Sequence, residues 1–153
     1  VPLYAGKEDL MSYPDEWSQE PFHHPRWEIV VRKSPDPSGD VLLARETAAG
    51  PRVLLADPMG HGVDAVPLRR VVCACVEASD AELEPAAFLE AVGRRFYDAT
   101  YAPREVTTAT AQLIQLGHDD GHLTVASAGH HPFFILRNGD VLGGRSSRDC
   151  RSA

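Results

Sequence analysis

Apolar positions along the chain change their spacing twice, and each change marks a new element. The stretches "WEIVVRK" (27–33), "DVLLARE" (40–46) and "RVLLADP" (52–58) are short and rich in Val, Leu and Ile, which predicts strands. "AAGP" at 48–51 supplies the glycine and proline of a tight turn, so the second and third strands are expected to pair antiparallel. The spacing then lengthens. In "VPLRRVVCACVEA" the apolar residues Leu68, Val71, Val72, Cys75 and Val76 fall at i, i+3, i+4, i+7 and i+8, which predicts a helix over 64–78 with Pro67 in its first turn. "EPAAFLEAVGRRFYDATY" predicts a second helix over 85–99, with Pro85 in the first turn and Phe88, Leu89, Val92 and Phe96 along one side. Strands return at 107–116, at 122–129 after the turn "HDDG", and at 133–137, where Asn138-Gly139 leads by a hairpin into "DVLGG". Three strands, two helices and at least three more strands make an α+β arrangement, most simply an antiparallel sheet with the helix pair on one face.

Residues 1–26 lack periodicity and are rich in proline and polar residues, as in an extended arm or a linker from an upstream domain. His23 and His24 lie in this stretch between prolines and read as exposed surface. Residues 27–144 form the expected domain, and 145–153 an irregular tail. A length of 153 residues suits one domain with a core of its own. The net charge of −7 argues against a nucleic-acid binder, which needs a basic face. No apolar run approaches the roughly 20 residues of a membrane span, and nothing resembles a signal peptide, so a cytoplasmic setting is the expectation. Cys73, Cys75 and Cys150 are odd in number and lack zinc spacing, so they read as small packing residues.

Candidate chemistry enters at "ADPMGHGVDA" (56–65), where an apolar strand ends in an aspartate, a proline and two glycines around a histidine. If the second and third strands form a hairpin, Asp40 at the start of one and Asp57 at the end of the other become cross-strand neighbours at its open end. Two carboxylates that close need a cation or a shared proton, and neither strand places a Lys or Arg immediately beside Asp57. Hard oxygen ligands of this kind suit Mg²⁺ or Mn²⁺. The spacing alone is equally open to a simpler reading, in which Gly39-Asp40 is turn chemistry and Asp57 caps the helix that follows.

Three segments, "SGD" (38–40), "VLLADPMGHGVDA" (53–65) and "GHLTVASAGHHPFFILRNGDV" (121–141), occur in the order and at the separations seen in a known family. Together they resemble the SpoIIE/RsbU branch of the metal-dependent (PPM, type 2C) protein serine/threonine phosphatases. The resemblance implies a PPM phosphatase-like antiparallel β-sandwich flanked by helices. It implies that Asp40 is a metal ligand, that Asp57 bridges two Mn²⁺ or Mg²⁺ ions, and that Pro58 offers its backbone carbonyl. Gly60, His61 and Gly62 would form the loop near the phosphate. The implied reaction is direct attack of a metal-activated water on phosphoserine or phosphothreonine. The implied substrate is a regulatory phosphoprotein such as a STAS-domain anti-sigma-factor antagonist, with a sensor domain upstream.

The chain departs from the family in two places. Leu43 stands where the family often has an aspartate, and the family's "TDG" strand end and later aspartate have no counterpart before residue 153. The domain is therefore expected to be incomplete at its C-terminus. Asp140 belongs to the "RNGD" turn and is expected in solvent, and Asp149 has no ligand context. His61 reads either as a phosphate contact or as a packing residue, His130 as a support for the turn before "HPFF", and Thr107, Thr108 and Thr110 as core packing. The alternative function is a catalytically incomplete, phosphatase-like binding or regulatory module.

Overall fold

The computed structural model describes residues 23–24, 27–28, 39–60, 62–101, 107–118, 122–129, 134–138 and 140–143. Its centre is a four-stranded antiparallel sheet in which β3 (Val41–Thr47), β4 (Gly50–Pro58), β5 (Ala109–Leu116) and β6 (Leu123–Ala128) lie in that order. The β3–β4 hairpin closes at Thr47↔Gly50 through the two-residue loop Ala48-Ala49, as the turn signal predicts, and the Thr47 hydroxyl donates to the Gly50 carbonyl at 2.8 Å. Two short ladders stand apart from this sheet: β1 (His23–His24) with β2 (Trp27–Glu28), and β7 (Ile135–Arg137) with β8 (Asp140–Gly143). The strand expected over 27–33 is thus described only at Trp27–Glu28. It pairs with His23–His24, two residues expected in an irregular arm. Asn138 has φ 54°, the left-handed conformation that the predicted Asn-Gly hairpin needs, while Gly139 lies outside the described residues.

The sheet is apolar on both faces, which explains why its strands read as unbroken apolar runs. Alternation along the ladder puts Val41, Leu43, Leu54, Ala56, Ala111 and Leu113 on one face, packed against the helices. Ala44, Val53 and Leu116 fall on the other face and are also buried, at 3%, 5% and 5% exposure. A sheet with one face in water would alternate apolar with polar, so this pattern is that of a layer covered on both sides.

The helix pair follows the predicted stripes. The first begins as a 3₁₀ turn (Gly62–Ala65) and continues as α1 (Val66–Glu77), so the stretch expected from residue 64 opens more tightly wound than an α-helix. Pro67 sits in its first turn, where a missing N–H removes no intrahelical bond. α2 (Pro85–Tyr101) runs two residues past its expected end and buries Phe88, Leu89, Val92 and Phe96, the four residues read from the sequence. Among the described residues no helix is long and apolar enough to cross a membrane.

One charged side chain lies inside this core. Arg52 is 2% exposed, and its guanidinium lies 5.4 Å from the centroid of the Phe88 ring. Its Nε donates to Gln115 Oε1 at 2.7 Å, its Nη2 to the Leu83 carbonyl at 2.8 Å, and its Nη1 to the Ala81 carbonyl. Gln115 in turn donates from Nε2 to the Gly50 carbonyl at 2.9 Å. Burial lowers the Arg52 pKa, with Glu82 pulling it back upward, yet an arginine starts so high that the group stays charged. The fork joins β4, β5 and the α1–α2 connection in one network.

Two stability measurements test this account. Arg52→Met leaves two backbone carbonyls and Gln115 without their donor, and should lower the unfolding free energy in urea by about 3–5 kcal/mol. Gly93 lies in the interior of α2, and a Cβ added there would meet nothing within 4 Å. Gly93→Ala should therefore raise stability by about 0.5–1 kcal/mol, the ordinary helix-propensity gain.

Candidate metal centre

The ladder registers align four residues at one end of the sheet. The Asp57↔Thr110 pair belongs to the β4–β5 ladder. Asp40 immediately precedes Val41↔Ala56, so extending that register by one step sets it opposite Asp57. Extending Ala111↔Ala128 by one step sets Thr110 opposite Gly129, whose added Cβ would meet the Thr110 side chain. Residues directly opposite in an antiparallel ladder share a face, so Asp40, Asp57 and Thr110 point the same way, away from the helices. Both aspartates are exposed. The hairpin forms as the strand pattern predicts and leaves Asp40 and Asp57 at its open end.

The loop after Asp57 is anchored on both sides. Pro58 is buried, and the Met59 N–H donates to the Thr108 carbonyl at 2.7 Å. Gly60 then adopts φ 127°, a conformation that side chains disfavour, and the chain turns into the 3₁₀ segment. Ala65, at 0% exposure, closes that segment against Gly39. A Cβ at Gly39 would lie 2.7 Å from the Ala65 Cβ and 3.0 Å from its carbonyl oxygen, so only glycine permits this approach. The contact ties the residue before Asp40 to the loop that follows Asp57. At the far end of the row, a Cβ at Gly129 would lie 2.5 Å from Thr110 Cγ2, so Gly129 makes room for Thr110.

Other expected residues stand elsewhere. Leu43 is fully buried in the core, in line with its reading as a departure from an acidic position. Asp140 is exposed on β8, as expected of the "RNGD" turn. His61, His130, His131 and Asp149 lie outside the described residues. The threonines require a correction. Thr108 is exposed, Thr107 and Thr110 are half-buried, and Thr110 belongs to the carboxylate row because β5 lies beside β4. Only strand order assigns it there, and the sequence pattern does not give that order. Cys73 and Cys75 are buried free thiols whose pKa values burial raises, which suits packing and not nucleophilic chemistry.

The donor set fits a hard divalent cation. It offers two opposed carboxylates, a threonine hydroxyl in the same row and no basic side chain in that row, chemistry that Mg²⁺ and Mn²⁺ favour. Among the described residues no group of three or more His, Cys, Asp or Glu side chains converges, so Asp40 and Asp57 are its anionic part.

The family model for stage II sporulation protein E (SpoIIE) matches residues 48–148, about two thirds of the chain. The matched span contains Asp57, the loop after it, both helices and β5 to β8; Asp40 precedes it. No curated protein and no solved structure matches the chain.

The glycine contact predicts a measurable coupling. Gly39→Ala should cost about 1–3 kcal/mol, as overpacking does. Ala65→Gly removes the opposing methyl, so the double variant should be more stable than the sum of the two single changes predicts. A double-mutant cycle in urea reads this directly, and additive energies would place Gly39 away from Ala65.

Proposed function

Because the chain belongs to the SpoIIE family of PPM-type phosphatases, we propose that it removes phosphate from phosphoserine or phosphothreonine on a regulatory protein of the cytoplasm, such as a STAS-domain anti-sigma-factor antagonist. The observation that carries this reading is the placement of Asp40 and Asp57 opposite each other at an exposed sheet end, beside a loop anchored by Gly39 and Ala65. Members of the family generally use Mn²⁺ or Mg²⁺. In this reading Asp40 and Asp57 would hold such ions, and the Pro58 carbonyl would add an oxygen that proline retains although it lacks an N–H.

When bound, ions of this kind supply an activated water and neutralise charge on a phosphoryl group. The chain's own residues do the positioning. The β3–β4 hairpin would set Asp40 and Asp57 at one end of the sheet, and the Gly39–Ala65 contact would tie the loop after Asp57 to the residue before Asp40. In this reading Gly60, His61 and Gly62 would supply the loop near the phosphate, the glycines letting backbone approach closely. Thr110, opposite Asp57, completes the polar row and can hydrogen-bond a carboxylate or a water. An upstream sensor domain would supply the signal. A second reading, a phosphatase-like module that binds without turnover, is favoured by the presence of only two carboxylates in the row.

Two measurements separate these readings. Mn²⁺ should raise the melting temperature, because a ligand that binds only the folded state stabilises it, and Asp57→Asn should abolish the shift while the metal-free melting temperature stays within a few degrees. Mn²⁺-dependent hydrolysis of a phosphoserine peptide, lost in Asp57→Asn, supports the enzyme; a Mn²⁺ shift without hydrolysis supports the binding module. A melting curve indifferent to Mn²⁺ overturns the metal assignment.

A further inference from the structure

Between α2 and the helix face of the sheet lies an open cleft of about 240 Å³. Protein interiors pack so closely that voids larger than a water molecule are few. This one has an identifiable cause on each side. Its floor is the register row Ala56–Ala111–Ala128, whose methyl groups are too short to reach α2; one row further along, Leu54 and Leu113 fill the same space. On the helix side it is bordered by Gly93, whose missing Cβ leaves open space, and by Phe96. At the rim Tyr97 is 56% exposed and stacks on Tyr101 with ring centroids 4.9 Å apart, which holds an aromatic face at the opening. None of the described residues lining the cleft is charged, in a chain where charged residues make up 24%.

We propose that this cleft is a binding site for a small, flat, uncharged molecule, an aromatic bicycle of about ten non-hydrogen atoms. The size follows from volume: an apolar cavity of about 150 Å³ holds benzene, so this cleft takes roughly one and a half times as much. The class follows from the walls. Alanine methyls on a rigid sheet make a flat floor, and Phe96 and Tyr97 offer ring faces and edges for stacking. Among the described residues the walls offer the hydroxyls of Tyr97, Thr107 and Thr108 but no charged group, so a charged ligand would lose its hydration without finding a counter-charge there. The site is distinct from the carboxylate row: Ala56, Ala111 and Ala128 face the helices, and Asp40, Asp57 and Thr110 face away from them.

Indole tests the proposal, with indole-3-acetate as the same ring carrying a charge. Calorimetry on the metal-free chain should give indole a Kd of about 1 mM or tighter, and indole-3-acetate at least a tenfold weaker one. Gly93→Leu extends a side chain over the cleft from α2 and should weaken indole at least tenfold. Ala111→Leu fills the floor from the sheet and should do the same, so the test survives the loss of either variant to misfolding. Asp57→Asn should bind indole as the parent chain does, which separates this site from the metal reading. Indole that fails to bind at its solubility limit, binds no better than indole-3-acetate, or binds a folded filled variant with parental affinity overturns the proposal.

Discussion

The fold turns on a buried cation that must be surrounded by acceptors. A guanidinium shielded from water is costly unless its donors are satisfied, and Arg52 meets that condition only when three acceptors from two other pieces of chain converge on it. Gln115 comes from the neighbouring strand, and the carbonyls of Ala81 and Leu83 come from the connection between the helices. The requirement therefore fixes two things together. It sets the β4–β5 register, because a slip of one residue would turn Arg52 to the other face, away from the helices. It also pins the α1–α2 connection over one end of the sheet, so that α2 must run from there along the core with Phe88 beneath the cation. Apolar packing alone tolerates many arrangements of similar energy; a charged group with directional donors does not.

That clasp sits at one end of the sheet and the carboxylates at the other. Both faces of the sheet are apolar, so polar chemistry is confined to its ends, where strands begin and stop. Asp40 lies one residue before β3, and Asp57 one residue before the end of β4. Their placement needs no buried charge and no distortion of the ladder. It needs a loop that returns close to its own strand, and the glycines at 39 and 60 provide it by letting Ala65 dock between them. The two carboxylates thus stand at the end of the sheet that the β3–β4 and β4–β5 pairings define.

Much of this was legible in the chain. The i, i+3, i+4 spacing gave Phe88, Leu89, Val92 and Phe96 of the buried face of α2, because the helix buries one stripe against an apolar sheet. It did not give Thr100, whose buried hydroxyl is satisfied by the Phe96 carbonyl. The hairpin was legible from its turn residues, and with it the place of Asp40 and Asp57 at its open end. Arg52 was not. A lone arginine at the start of a strand reads as surface, and its partners are backbone carbonyls about 30 residues away that carry no sequence signature. Thr110 was misread for a related reason: its place beside Asp57 depends on β5 lying next to β4, a long-range choice that local periodicity does not encode. The 3₁₀ opening before α1 was hidden too, since proline and glycine near a helix start are compatible with either winding.

Small residues play opposite parts in two regions that lie one residue apart. Gly39 and Ala65 are small so that backbone can close on backbone, and a single added methyl there meets main-chain and side-chain atoms at once. Ala56, Ala111 and Ala128 are equally small, but the surface opposite them is a helix with a glycine at position 93, so smallness there leaves space instead of closing it. Composition cannot distinguish the two, because what matters is the element on the other side. The consequence for the site is a division of labour along each strand. The row that bears Asp40, Asp57 and Thr110 is held by strand register and by the Gly39–Ala65 contact, and neither depends on how closely α2 packs. The row beside it can therefore stay loosely covered, at a cost in packing, without displacing the carboxylates.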